Sequence, residues 1–152
     1  MLSESIRSIT NYVLANQHLL KFLAYDEFDP LIKPDLTNKE KQDLLGKRII
    51  PGPSMSADVS QIRFYFKQGE QEEKHEYKMQ LVIEFIVPDH LLYTAYGQRN
   101  WLMCHKFLES LHLLVFKHIG KPDFKKFEQK ATMSKGVSSL VIMGQVDIVK
   151  FP

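Results

Sequence analysis

The chain has 152 residues, the length of one ordinary domain with room for a single core and not for two. Hydrophobic residues at 44% and charged residues at 25% are typical of a chain that folds, and exclude disorder, a collagen-like repeat and a bilayer-spanning protein. With 20 Lys and Arg against 18 Asp and Glu, the net charge of +2 is too small to make nucleic acid or an anionic membrane the main partner.

The lone cysteine, Cys104, excludes an internal disulfide and a multi-cysteine zinc site, and fits folding in a reducing compartment. Glu4, Arg7, Asn11 and Asn16 interrupt any signal-peptide pattern, and no stretch approaches the roughly 20 apolar residues of a membrane span. The expected product is made in the cytoplasm and binds no membrane.

In chain order, residues 3–24 are predicted as one amphipathic helix, with Ile6, Ile9, Val13, Leu20 and Leu23 recurring at threes and fours and Ser3 at its start. Pro30 and Pro34 keep the next segment irregular. Thr37 and Glu40 have capping-box spacing and Gly46 is a stop, which predicts a short helix over 38–45. Arg48-Ile49-Ile50 reads as a brief strand, and Pro51-Gly52-Pro53-Ser54-Met55-Ser56 begins an exposed arm over about 51–58.

From Ser60 the period becomes two. Ile62, Phe64 and Phe66 alternate with Arg63, Tyr65 and Lys67, and Tyr77, Met79, Leu81, Ile83 and Phe85 alternate with polar neighbours. The pair makes a long antiparallel hairpin with an acidic tip over about 68–75. Its second strand, apolar on both faces from Val82 to Val87, should enter the middle of a sheet. A loop over 89–97 precedes a long apolar helix over 98–119, ended by Gly120 and Pro122 and expected to be buried on more than one side, with Trp101, Leu108, Leu111 and Val115 as one stripe. Val137 to Phe151 alternates as a strand, with Gly144 marking a bulge or a close approach. The sum is a single α+β domain over 1–152: an antiparallel or mixed sheet with a long hairpin, packed by an N-terminal helix and a long central helix.

Candidate chemistry is sparse. Neither GxGxxG nor GxxxxGK[ST] occurs, and no cofactor is implied. His105, Glu109 and His112 share a helical face, a pattern that can bind a transition metal but that a solvated face also produces, and we read it as the latter. Cys104 and His105 are adjacent and point about 100° apart, so the thiol reads as core packing. Asp89-His90 lies in a loop, where catalytic residues often sit, without an identifiable third partner, and reads as a loop-solubilising pair. Lys117, Lys121, Lys125, Lys126, Lys130 and Lys135 make the last third basic, with Phe124 and Phe127 interleaved. No arginine joins them, so sequence-specific nucleic acid is not expected, and the acidic tip Glu70, Glu72 and Glu73 is a possible complement on a neighbouring copy.

The order of elements resembles that of the small neck and tail-completion proteins of tailed bacteriophages. The similarity runs through Asn16-Gln17-His18-Leu19-Leu20-Lys21-Phe22-Leu23, Asp29-Pro30-Leu31, Arg48-Ile49-Ile50-Pro51, the strands Ser60–Phe66 and Ile83–Pro88, and the helix opening Gly97-Gln98-Arg99-Asn100-Trp101. The tail-terminator type is the nearest in pattern, with head-completion proteins of the connector as neighbours. The resemblance implies a virion protein with no enzymatic activity: an α+β subunit that closes into a ring, as a hexamer, at the head–tail junction, ends the tail tube and docks it to the neck. Its partners would be itself, the tail tube protein and the neck or connector proteins. The interface candidates are Pro51, Pro53 and Met55 of the arm, Glu70, Glu72 and Glu73 of the tip, and Arg99 with Trp101. Arg99 also reads as a surface residue or an internal helix-start ion pair, and Trp101 as core packing. The reading from another class is a small cytoplasmic ligand-binding or hydrolytic enzyme, with its site between the long helix and the loop over 88–97.

Overall fold

The computed structural model describes residues 2–53, 58–67, 71–73, 76–114, 116, 121–131 and 136–149. Met55, Glu70, Val115, Lys117, Gly120 and Lys135 lie outside them, and for Glu72, Glu73 and Lys130 only the backbone is described.

The N-terminal segment is two helices, α1 (Leu2–Leu14) and α2 (Gln17–Ala24), where the apolar periodicity predicts one. Asn16 makes the break. Its backbone is extended, its side-chain carbonyl accepts from Leu19 N at 3.1 Å, and its amide donates to Lys106 O at 3.0 Å. One asparagine therefore starts α2 and fastens the corner to a distant helix. Helix α3 (Asn38–Leu44) matches expectation: Thr37 Oγ1 accepts from Glu40 N, and Gly46 beyond the helix has φ +78°.

Strand β1 (Ile49–Pro51) runs parallel to β2 (Gln61–Lys67), with Ile49 opposite Ile62. Because β1 is the edge of the sheet, Pro51 is tolerated there. The arm's beginning does not project. Gly52 N donates to Phe64 O, and Arg63 Nη1 donates to Pro53 O, which holds residues 51–53 along β2.

Strand β2 pairs with β4 (Glu76–Pro88), which also pairs with the short β3 (Gln71–Glu73) at the tip. After β4, a short 3-10 helix at Asp89–Leu91 leads to a two-stranded hairpin of β5 (Tyr93–Thr94) and β6 (Gly97–Gln98). Helix α4 (Arg99–Glu109) follows, and the sheet closes with β7 (Asp123–Ala131) and β8 (Val137–Val149). The order β1-β2-β4-β8-β7 places β4 in the middle, as its two apolar faces require.

Helix α4 is half the predicted length. After Ser110 the chain makes a 3-10 turn at Leu111–Leu113 and becomes extended at Leu114. Leu114 and Phe116 are buried and Leu113, still in the 3-10 turn, is 68% exposed, so the described part of this apolar run does not continue the helix. The buried side of α4 is Asn100, Met103, Cys104 and Phe107; Trp101 is on the exposed side, which corrects the predicted stripe.

Helices α1, α2 and α4 cover one face of the sheet. Ile9, Val13, Leu20 and Phe22 pack with Ile62, Phe64, Ile83, Phe85 and Ile142. Phe107 is the aromatic centre, edge-on to Tyr12 at 5.0 Å, Phe85 at 5.9 Å and Phe124 at 6.2 Å, and the Tyr12 hydroxyl donates to Phe107 O. On the second face Val82 and Ile86 are also buried, and Tyr65 donates to Glu84 Oε1 at 3.1 Å.

Gly144 is a close approach, as anticipated. A Cβ there would lie 2.7 Å from Phe124 Cδ1, a ring that packs against Phe107. Gly144→Ala is expected to destabilise the fold by about 1–3 kcal/mol in urea denaturation, the usual cost of overpacking. Adding Phe124→Leu should return part of that loss; a neutral Gly144→Ala would contradict the packing described.

Candidate functional site

Arg99, the first residue of α4, is among the largest fully buried side chains of the described residues, only 1% exposed. Its Nε donates to Leu91 O at 2.9 Å, Nη1 to Phe22 O at 2.8 Å and to Tyr25 O at 2.7 Å, and Nη2 to Glu27 O at 2.9 Å. Its backbone N donates to Leu92 O at 2.7 Å. Phe22 lies in the last turn of α2 and Tyr25 just beyond it, where carbonyls lack partners within the helix and the helix dipole is negative, so a buried cation is well placed. Burial pulls the guanidinium pKa down, and Asp26 and Glu27 act in the opposite direction. Arg48 adds a second clasp, donating to Leu23 O at 2.9 Å and lying 3.6 Å from Asp26.

The segments so fastened carry most of the exposed large apolar side chains among the described residues. Phe28 is 66% exposed, Ile32 78%, Tyr93 68%, Tyr96 48% and Trp101 44%. They are bound to one another as well as to Arg99. Ala95 N donates to Phe28 O at 2.9 Å, and the Tyr96 hydroxyl donates to Asp29 Oδ1 at 2.7 Å, a bond that raises the phenol's pKa. The Tyr96 ring meets Phe22 edge-on at 6.1 Å, and Thr94 Oγ1 closes the β5–β6 turn onto Gly97 O and Tyr96 N. Carboxylates rim this surface: Glu27 pairs with Lys33 at 3.0 Å, which lowers its pKa. An apolar surface of this kind, ordered and rimmed by charge, is suited to contact with another macromolecule.

Of the predicted interface residues, Trp101 is exposed, in the first turn of the helix that Arg99 opens. Arg99 is not: it is inside the subunit, with four of its guanidinium hydrogen bonds made to backbone, so it shapes the surface without presenting itself there. Pro51 and Pro53 are exposed along the sheet edge, and Glu72 and Glu73 belong to β3. Among the described residues, Pro51 and Pro53 lie along β2 and have no contact shown with Trp101. Phe28, Ile32, Tyr93 and Tyr96 are the residues missed by sequence reasoning. Their signal is faint: aromatics set among turn formers, in Asp26-Glu27-Phe28-Asp29-Pro30 and Tyr93-Thr94-Ala95-Tyr96-Gly97, where no core periodicity claims them.

The other candidates have structural places. Asp89 Oδ1 accepts from Ser138 Oγ at 2.7 Å and its backbone N donates to Gly136 O, which ties the loop to the start of β8. His105 lies 3.9 Å from Glu109, both exposed, and no cluster of three metal-ligating side chains occurs among the described residues. Cys104 is buried, which pushes its thiol up to about 12. An open groove of about 320 Å³, lined by Tyr12, Asn16, Gln17, His18, Glu109 and Leu113, lies at the C-terminal end of α4. The enzyme reading requires a pocket at the other end of that helix, beside the loop over 88–97. In the groove, Asn16 and Gln17 are occupied with Leu19, Lys106 and Leu36, and Tyr12 with Phe107.

A sequence profile of the YomW family matches residues 16–140, and the chain belongs to this phage-associated family. No curated protein matches the sequence. Among solved structures, a chain in the virion of a native gene transfer agent particle aligns at a TM-score of 0.45 and 9% identity, covering 68% of this chain and 80% of that one.

Arg99→Met leaves four carbonyls without their donor and is expected to cost about 3 kcal/mol or more. Arg99→Lys keeps the charge but loses the fork, and should recover only part. Cys104, the sole thiol, gives the readout. In the native protein at pH 8 it should react with an aromatic disulfide reagent only as fast as the chain opens, and far faster in Arg99→Met. Equal rates in the two proteins would contradict the role given to Arg99.

Proposed function

We propose that the protein is a structural subunit of a tailed-phage virion that closes with copies of itself into a ring, as a hexamer, at the head–tail junction. There it ends the tail tube and docks it to the neck. The observation that carries this reading is the aromatic surface of Phe28, Ile32, Tyr93, Tyr96 and Trp101, held in place by Arg99 on a small α+β subunit. Exposed aromatics on segments fastened in this way suit contact with another macromolecule, and a ring member meets a neighbour on each side. Membership of a phage-associated family supports the virion setting. The tail-terminator role, with tube protein and neck proteins as partners, rests on the sequence resemblance. The arm over 51–58 and the tip at Glu70, Glu72 and Glu73 are the segments proposed to reach neighbours or the tube. A head-completion subunit of the connector would use the same kind of ring, and tube binding separates the two. No catalytic group, cofactor or membrane enters this function.

Light scattering across a concentration range, with negative-stain imaging, tests the ring, and co-sedimentation with assembled tail tubes tests its site of action. The expected result is a closed ring, or a monomer that forms one on tubes. Protein that stays monomeric and leaves tubes unbound would overturn the proposal. Reversing charge with Glu72→Lys and Glu73→Lys should weaken assembly or tube binding at least several-fold; unchanged behaviour would remove the tip from the interface.

A further inference from the structure

We infer that the chain carries a two-fold self-pairing edge: strand β7 of one copy lies antiparallel against β7 of a second, in the register centred on Phe127. Such a contact joins copies in pairs and cannot close a ring, so it goes beyond the ring reading and does not rest on it.

Strand β7 is one end of the sheet, and among the described residues no strand pairs with its outer side. The opposite end, β1, is three residues long and finishes on Pro51, which has no N–H to give a further strand. Strand β7 spans nine residues, Asp123–Ala131, and holds no proline. Five consecutive residues, Lys125 to Gln129, are exposed, so both faces of the strand are open there. An open edge of this length is a template for strand addition.

The order of side chains selects a second β7 as the added strand. Phe127 stands opposite Ile142, on the face that the helices cover, and Lys126 and Glu128 stand opposite Met143 and Val141, on the other face. In an antiparallel pair about a two-fold axis, the residues on either side of the axis oppose each other. With Phe127 on the axis, Lys126 of each copy faces Glu128 of the other, which makes two opposite-charge pairs on one face. On the other face Phe127, 49% exposed in the single chain, meets its own counterpart. Lys125 falls opposite Gln129, so no lysine faces a lysine and the ladder spans the five exposed residues.

The neighbouring registers lose this match. An axis at Lys125 or Lys126 sets lysine on lysine, and one at Glu128 sets glutamate on glutamate and Lys126 on Lys130. An axis at Gln129 keeps Glu128 opposite Lys130, but it places Phe127 against Ala131 and runs Lys126 past the end of the strand. Cross-strand pairs of opposite charge and of aromatic rings are favourable, whereas like charges directly opposite are not. Within the subunit Lys125 pairs with Asp123 at 3.2 Å and Glu128 has an interaction of its own; at exposed positions such contacts exchange partners at little cost. A ladder this short makes a weak contact, filled at high protein concentration.

Exchange of charge tests the pairing on the full chain, by sedimentation velocity at rising concentration. The native protein is expected to form a dimer, or paired rings where rings form. Lys126→Glu and Glu128→Lys should each weaken that species several-fold, because both cross-strand pairs become like-charged. An equimolar mixture of the two variants, in which one chain brings two glutamates against two lysines of the other, should restore it, as should both substitutions in one chain. A native chain without the paired species, single variants that pair as well as the native chain, or a mixture that does not recover would overturn the contact. The register is read separately. Because Cys104 is buried, Phe127→Cys or Gln129→Cys supplies a single reactive thiol. Under mild oxidation Phe127→Cys, which faces its own counterpart, should give several-fold more disulfide-linked dimer than Gln129→Cys. Equal yields, or the reverse order, would overturn the register. A chain that passes both tests yet forms no ring and binds no tube would keep the pairing and sink the ring reading; rings without recovery in the mixture would do the opposite.

Discussion

One buried guanidinium organises the end of the molecule where its exposed aromatics gather. Taking the Arg99 cation out of water carries a desolvation penalty of several kcal/mol, which is tolerable only if its donors are well satisfied. Here they are met by the carbonyls of Phe22, Tyr25, Glu27 and Leu91. Three of those carbonyls belong to the end of α2 and the turn after it, more than seventy residues earlier in the chain. The same side chain thus ends one helix, begins another and fixes the base of the β5–β6 hairpin. A hydrophobic core alone fixes distances between elements loosely, whereas a planar fork with several acceptors also fixes orientation.

The consequence is a prearranged surface. Aromatic side chains on unfastened loops would have to be ordered on binding, at roughly 0.5–1.5 kcal/mol for each immobilised side chain. Tyr96 is instead already placed, through its hydrogen bond to Asp29 and its ring contact with Phe22, and the backbone that carries Phe28 is fixed by Ala95. Tyrosine and tryptophan suit this role because each pairs a large apolar body with a polar handle. The open groove at the end of α4 is lined by Asn16, Gln17 and Tyr12, whose polar atoms hold the helices together.

Much of the fold was legible because local physics decided it. Period-two alternation located β2 and β4, Thr37 and Gly46 bounded α3, the two apolar faces of β4 placed it centrally, and Gly144 marked a close approach without naming its partner, Phe124. The misreadings came where tertiary contacts outweighed local pattern. Asn16 interrupts a continuous amphipathic stripe because its amide finds Lys106 O across the core. The apolar run after Ser110 has helical composition, yet Leu114 and Phe116 point inward from extended chain. Of the candidate surface only Trp101 was visible. Arg99 drew attention for the wrong reason, since a charged residue at a helix start resembles a surface feature, and nothing local shows carbonyls converging on it from distant segments. Phe28, Tyr93 and Tyr96 could not be told from core aromatics, nor Ile32 from a core aliphatic, until the packed core was seen without them.

The proposed ring at the junction of a phage head and tail gives the Arg99-fastened aromatic face a partner to cover it. Electron cryomicroscopy of the phage particle that encodes the chain tests it most directly. The expected density is a ring of copies at the head-proximal end of the tail tube, with Phe28, Tyr93 and Tyr96 covered by another protein chain. Density for the chain elsewhere in the particle, its absence from the particle, or a ring that leaves the aromatic face in solvent would contradict it.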